Sequence, residues 1–143
     1  MGLLRLGQEP LQINPEASVA DAVAVMVKRQ LGAIAVTAGG KILGMFTERD
    51  LMRRVVDARR DLDKTKVRDV MTSPVKTVSD STSVADAASL MRRHHIRHLP
   101  IVDPEGNLLG MVALRYILYD LMDDLERKVD SLESYIMADS LGG

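Results

Sequence analysis

The stretch SVADAVAVM at residues 18–26 recurs almost unchanged as SVADAASLM at residues 83–91, 65 positions later. A second block, GKILGM at residues 40–45, recurs as GNLLGM at residues 106–111, 66 positions later. The extra residue falls in the turn that precedes the second block, TAGGK in one copy and VDPEGN in the other, and turns tolerate insertions. Two matching blocks in the same order indicate a duplicated structural unit.

The first helix of each copy has a recognisable start. Ser18 and Ser83 precede runs with helical apolar spacing, and an aspartate follows each of them three residues later. This arrangement is a variant of the capping box. The pattern predicts helices that begin at these serines and run to about Arg29 and His94.

The remainder of each copy predicts a β-hairpin and another helix. The runs AIAVT and KILGMFT in the first copy, and HLPIV and NLLGMVA in the second, are short, apolar and separated by glycine-containing turns. Second helices are expected to begin at Glu48 and Leu114, and LQIN and VKTV are expected to supply leading strands. The predicted fold class is therefore α+β, with two tandem βαββα repeats forming a pseudo-two-fold pair, plus a C-terminal helix.

Four segments are predicted along the chain. They are repeat 1 at residues 8–60, a linker with a short helix at 61–73, repeat 2 at 74–125 and a C-terminal helical extension at 126–143. Thr65 is predicted to cap the short helix and Pro74 to end it.

The C-terminal segment carries an apolar heptad pattern. Leucine recurs every seven positions at Leu118, Leu125 and Leu132, and Met122, Val129 and Ile136 form the second series. This is an a/d seam of nearly three heptads. Packing of the helix on its own domain explains the first half of the seam, but the second half needs another surface, so we expect the helix to contribute to a homodimer.

Composition narrows the class of protein. Of 143 residues, 46% are hydrophobic and only 3% aromatic, so the core must be aliphatic. Nineteen basic against twenty acidic side chains argue against a protein that mainly binds nucleic acid. The absence of cysteine excludes disulfides and thiolate metal sites, and no apolar run of membrane-spanning length is present. A cytoplasmic protein without membrane contact is expected.

The motifs DVMT, RHLPIVD and GMFTERD together resemble those of tandem cystathionine-β-synthase (CBS) domains, a pair often called a Bateman module. The resemblance extends from about Gln8 to Leu125. It implies a regulatory fold that binds an adenosyl ligand in a cleft between the two repeats. It also implies that two modules pair into a disc-shaped dimer.

The segment TERD at residues 47–50 has two interpretations. Thr47 and Asp50 fit a capping box, which would stabilise a helix by about 1 kcal/mol, and spacing alone favours this interpretation. The resemblance instead implies that Thr47 binds a phosphate at the helix start and Asp50 accepts from both ribose hydroxyls. The second copy has Ala113 and Tyr116 at the matching positions, so we expect one competent site per chain.

Further ligand contacts are implied by the same resemblance. The basic stretch MRRHHIRH at residues 91–98 ends where a strand begins, and Arg97 and His98 are candidates for phosphate contacts, together with Arg49. The adenine would lie against residues of LQIN and GAIAV, namely Ile13, Gly32, Ala33 and Ile34. Without interleaved aromatic residues the basic stretch does not fit a nucleic-acid site, and His94 and His95 point to different helix faces, so no metal site is predicted.

Three interpretations of the function follow. The favoured one is a stand-alone energy-sensing module that binds AMP, ADP or ATP, with NAD(H) and S-adenosylmethionine left open, and that signals to an unidentified protein partner by a conformational change. The alternative is a ligand-free dimeric adaptor. An enzyme is not expected, because no catalytic constellation or catalytic cofactor motif is present.

Overall fold

The computed structural model describes residues 2–142, and side-chain surroundings are defined for residues 2–138. Repeat 1 contains a three-stranded sheet in the order β1-β2-β3, in which β1 is parallel to β2 and β2 is antiparallel to β3. Its elements are β1 (Gln12–Ile13), α1 (Val19–Arg29), β2 (Ala33–Ala38), β3 (Lys41–Thr47) and α2 (Glu48–Asp50), which continues as a π-helix over Leu51–Val56. The mixed fold class predicted from the repeats is confirmed.

Repeat 2 has a smaller sheet than predicted. Its elements are α4 (Val84–His94), β4 (His98–Val102), β5 (Leu108–Ala113) and α5 (Leu114–Gly142), and β4 and β5 form an antiparallel pair. The expected leading strand VKTV is reduced to a single parallel bridge between Val78 and Ile101. The prediction of a strand there is wrong because a turn closed by hydrogen bonds between Ser79 and Thr82 takes the chain away from the sheet.

The predicted starts of the repeat helices are confirmed. Ser18 Oγ accepts from the N–H of Asp21 at 3.1 Å, and Ser83 Oγ accepts from the N–H of Asp86 at 3.0 Å. Both helices end at the predicted residues, each followed by a residue in the left-handed region, Gln30 in one copy and His95 in the other. The equivalence of the two copies therefore extends to their backbone conformation.

The short helix α3 spans Val67–Val70 and is not capped by Thr65. The N-cap is Lys66, which makes no side-chain cap bond. Thr65 lies one residue earlier, where it is buried and its carbonyl accepts from the N–H of Val19 at 2.9 Å, so it is not in the position of a cap. The helix ends at Val70, ahead of Pro74. The predicted role of Thr65 is therefore wrong, although the helix itself is present.

The segments that precede the two repeats are exchanged between them. A 3₁₀ helix at Leu3–Leu6 lies before repeat 1 but packs in the core of repeat 2, where Leu3 is 2% exposed. The helix α3 lies before repeat 2 but packs in the core of repeat 1. The core of each repeat is thus completed by the segment that precedes the other repeat in the sequence.

Two aliphatic cores result, with a third cluster between the sheets. The core of repeat 1 surrounds Phe46, and that of repeat 2 surrounds Leu99, Ile101 and Ile117. Ala33, Ala35 and Met45 pack against residues of repeat 2. Two main-chain hydrogen bonds related to each other by the 66-residue offset, from Ile42 N–H to the carbonyl of Gly106 and from Leu108 N–H to that of Gly40, place a pseudo-two-fold axis here.

The C-terminal helix leaves the body of the protein early. Ile117 is its last fully buried residue, and an ion pair at 2.9 Å joins Asp120 to Arg5 of the 3₁₀ helix. Every side chain from Leu121 to residue 138 is exposed. Among residues 2–142, no helix has the length and apolarity that crossing a membrane requires.

Candidate functional site

A cleft of about 800 Å³ lies between the two repeats. Its lining comes largely in equivalent pairs from the two copies, as expected for a cavity on a pseudo-two-fold axis. The pairs include Leu31 with Ile96, Gly32 with Arg97, Ala33 with His98, Met45 with Met111, Thr47 with Ala113, and Arg49 with Arg115. The backbone of the cleft is therefore nearly symmetric, whereas its chemistry is not.

Thr47 and Asp50 form a complete capping box at the edge of this cleft. Thr47 Oγ1 lies 3.2 Å from the N–H of Asp50, and Asp50 Oδ2 accepts from the N–H of Thr47 at 3.0 Å. Asp50 is 4% exposed even though it lines the cleft. The capping interpretation of TERD is confirmed.

The second carboxylate oxygen of Asp50 reaches the segment between the repeats. Thr72 Oγ1 donates to Asp50 Oδ1 at 2.9 Å, and Arg54 Nε lies 3.7 Å from the same oxygen. Arg54 also donates to the carbonyl of Met71 at 2.6 Å. This acidic side chain therefore links the start of α2 to the connection between the two repeats.

The matching corner of repeat 2 has neither the hydroxyl nor the carboxylate that Thr47 and Asp50 supply in repeat 1. Ala113 lines the cleft, but Tyr116 is not among the lining residues. Arg115 donates to the Tyr116 hydroxyl at 3.3 Å and lies 5.0 Å above its ring, and this hydrogen bond lowers the pKa of Tyr116. The tyrosine packs beside Arg115 and Tyr119 instead of filling the cleft.

The net positive charge of the cleft comes from repeat 2, because the three lining arginines of repeat 1 are matched by three carboxylates and repeat 2 contributes no acidic residue to the lining. Arg97 and His98 line it where α4 gives way to β4, and Lys76, His95 and Arg115 line it as well. Within the described residues neither Arg49 nor Arg97 takes part in an ion pair. Two guanidinium groups are therefore available to an anion.

The surroundings of His98 lower its pKa, which favours the neutral imidazole. Burial, and then the positive charges of Arg97 and Arg115, lower the pKa of His98, and the carboxylate of Glu48 acts in the opposite direction. The desolvated imidazole resists a proton unless a negative charge arrives to balance it. A bound phosphate would supply that charge.

The four residues proposed to lie along the adenine separate into two pairs. Gly32 and Ala33 line the cleft, and Glu48 closes over Gly32, where a Cβ atom would lie 2.9 Å from its Oε1. Ile13 and Ile34 do not line the cleft but pack in the core of repeat 1. Only the first pair is placed where a ligand in the cleft would meet it.

Several lining residues were not anticipated. Arg54 and Thr72 bond to Asp50 or its surroundings, and Arg115 occupies the position equivalent to Arg49. The repeat alignment was sufficient to indicate Arg115, and the four-residue spacing from Asp50 to Arg54 was a helical signal. Among the described residues no cluster of three His, Asp or Glu side chains suits a metal ion.

Two packed α/β repeats, with a cleft on their pseudo-two-fold axis lined by side chains from both copies, define a tandem-repeat module. Residues 7–57 and 67–123 match the CBS domain family model. The chain therefore belongs to the CBS domain family, as the sequence motifs indicated.

Known relatives agree with this assignment. A CBS domain-containing protein of Bacillus subtilis, YhcV, is 38% identical over 71% of this chain and 71% of its own length. Among solved structures, a CBS-domain protein from Burkholderia ambifaria has a TM-score of 0.80 with 30% identity, covering 87% of this chain and 96% of that one. A CBS domain protein from Pyrobaculum aerophilum, complexed with AMP, has a TM-score of 0.75 with 29% identity, covering 86% of this chain and 99% of that one.

Proposed function

We propose that this chain is a regulatory module that binds one adenine nucleotide per chain in the cleft between its repeats. The observation that carries the proposal is the asymmetry of the cleft, with the Thr47 hydroxyl and the buried Asp50 carboxylate on one wall, and Ala113 and the available guanidinium of Arg97 on the other. The AMP complex of the related Pyrobaculum protein supports an adenosyl ligand.

In this proposal the ribose hydroxyls donate to Asp50 and replace the hydroxyl of Thr72 on its Oδ1 atom. The phosphate lies between Thr47 and Arg49 on one side and Arg97 and His98 on the other. A guanidinium binds phosphate oxygens through two parallel N–H groups, and Arg97, directly before the start of β4, is placed in the cleft to do so. The base lies along Gly32 and Ala33.

Signalling would follow from differential binding. The ligand contacts both repeats and competes for the Asp50–Thr72 bond, so it favours any arrangement of the linker in which that bond is broken. A regulated protein partner would read this change. The regulatory role, the absence of catalysis and the cytoplasmic location remain predictions.

The test is calorimetric titration of AMP, ADP, ATP, NADH and S-adenosylmethionine into the purified protein. We expect one of these ligands, with a phosphate-bearing one favoured, to saturate at one molecule per chain. Two equivalent sites per chain would contradict the asymmetry argument. Failure of all five to bind a folded protein would favour the ligand-free adaptor, an alternative that the completed capping box of Asp50 keeps open.

A second prediction concerns pH. In the free protein the pKa of His98 is lowered, and the negative charge of a bound phosphate would raise it again. The complex then takes up a proton, so nucleotide affinity is expected to increase as pH falls through the range below the usual imidazole pKa. The gain is at most about tenfold for each pKa unit of this shift. His98→Gln removes the titrating group, and the difference between the two proteins cancels protonation of the ligand itself. Parallel pH profiles for both proteins would place His98 outside the phosphate site.

We also propose a homodimer. Met52 and Val56 on the π-helix are 66% and 62% exposed, and their equivalents 66 residues later, Leu118 and Met122, are 46% and 56% exposed. Both repeats thus present apolar residues at the same helical positions, which a monomer would leave in water.

A further inference from the structure

The apolar seam of α5 is exposed along its whole described length. Its six residues are each between 45% and 63% exposed, at Leu118, Met122, Leu125, Val129, Leu132 and Ile136. The seam extends over about 27 Å of helix at 1.5 Å per residue. Every side chain from Leu121 to residue 138 is exposed, so the described part of the chain does not cover the seam.

The residue types along the seam specify how many helices it accommodates. Leucine occupies each d position, and the β-branched Val129 and Ile136 occupy two of the a positions. This combination favours two-stranded parallel coiled coils, because β-branched side chains at a pack well in the a layer of a dimer.

The charged residues beside the seam specify its direction. Lys128 lies at a g position and Glu133 at the e position of the next heptad, which is the spacing that pairs across two parallel helices in register. An antiparallel pair would instead bring e positions together, where Glu126 and Glu133 repel each other. Among residues 2–138 the ion pair of Lys128 is with Asp124, at 3.3 Å and largely exposed, so Lys128 remains available to a partner helix.

We infer that the α5 helices of two copies form a parallel, in-register, two-stranded coiled coil. The two-fold axis of the dimer then runs along the seam, and like repeats of the two modules lie on the same side of the assembly. This inference goes beyond nucleotide binding and does not depend on it.

Single cysteines test the arrangement, because the chain contains none of its own. Leu125→Cys and Leu132→Cys each place the residue beside its own copy in the parallel dimer, so each variant of the full chain should form a disulfide-linked dimer as its main product on mild oxidation. Ser134→Cys, on the outer f position, is the matched control and should remain monomeric on a denaturing gel.

The outcomes separate the orientations. An antiparallel pair can bring only one residue of the seam beside its own copy, so disulfide formation by one of the two leucine variants but not the other would overturn the inference. Equal cross-linking at Ser134 would also overturn it, since the contact would then be non-specific.

A charge exchange gives an independent measurement by sedimentation. Lys128→Glu places two glutamates across each parallel pair and should raise the dimer dissociation constant by about tenfold, whereas Glu126→Lys should change it little. Adding Glu133→Lys to Lys128→Glu should restore the original value. Failure of this rescue, or an unchanged dissociation constant in Lys128→Glu, would contradict parallel pairing.

Discussion

Replacement of Asp50 by asparagine is expected to weaken nucleotide binding by about 100-fold, which is the order expected for losing charge-assisted hydrogen bonds from a buried carboxylate. The change keeps the size of the side chain but turns one acceptor oxygen into a donor. The ribose then faces an N–H group where it needs an acceptor. The measurement is the dissociation constant of whichever nucleotide saturates the native protein.

The same substitution also affects the fold, and the controls must separate the two effects. Asp50 accepts from the N–H and hydroxyl of Thr47 and from the hydroxyl of Thr72, so a loss of stability is expected as well. Asp86→Asn removes a carboxylate from the equivalent position of a capping pattern in α4, away from the cleft, and should leave affinity unchanged. If a folded Asp50→Asn protein bound the nucleotide with wild-type affinity, Asp50 would act as a helix cap and not as a ligand contact.

Replacement of Gly44 by alanine should lower the free energy of unfolding by about 2–3 kcal/mol. An added Cβ atom would lie 2.8 Å from the carbonyl oxygen of Thr72 and 2.6 Å from the sulfur of Met71. The backbone there is held by reciprocal hydrogen bonds between Met45 and Thr72, at 3.0 and 2.8 Å, so it cannot move aside without breaking them.

Gly110→Ala is the matched control in the other repeat. Its nearest obstacle is the end of the Leu4 side chain, at 2.9 Å, while the carbonyl of Gln8 is 3.5 Å away. A leucine side chain can change rotamer, so this variant should lose less than about 1 kcal/mol. Urea denaturation of both variants compares them directly, and the entropy that alanine removes from the unfolded chain is common to both. Equal losses would show that the contact with the linker is not the cause.

The parts of this fold that the sequence predicted are those governed by local interactions. Ser18 and Ser83 were identifiable because a cap and its helix are contiguous in the chain. The exchange of the segments Leu3–Leu6 and Val67–Val70 could not be predicted, because a short apolar segment of four residues does not indicate which of two similar cores it packs in.

The cleft residues show the same division. The asymmetry between TERD and its counterpart followed from aligning the copies, whereas the faces of β2 did not follow from its sequence. Ala33, Ile34, Ala35 and Val36 are all buried, so the usual alternation of apolar and polar residues gave no indication of which side faces the cleft. Packing of two sheets, rather than contact with solvent, decides that Ile34 faces the core and Ala33 the cleft.

The exchanged segments also determine what counts as a portable part of this protein. A gene fragment that encodes either repeat alone, cut at the connection between them, would include the segment that packs in the other core and would lack the segment that its own core requires. Recombination that moves a single repeat into another protein therefore transfers a core without the segment that completes it, whereas transfer of both repeats transfers two complete cores. The heritable building block here is the pair, and the individual repeat is a unit of sequence only.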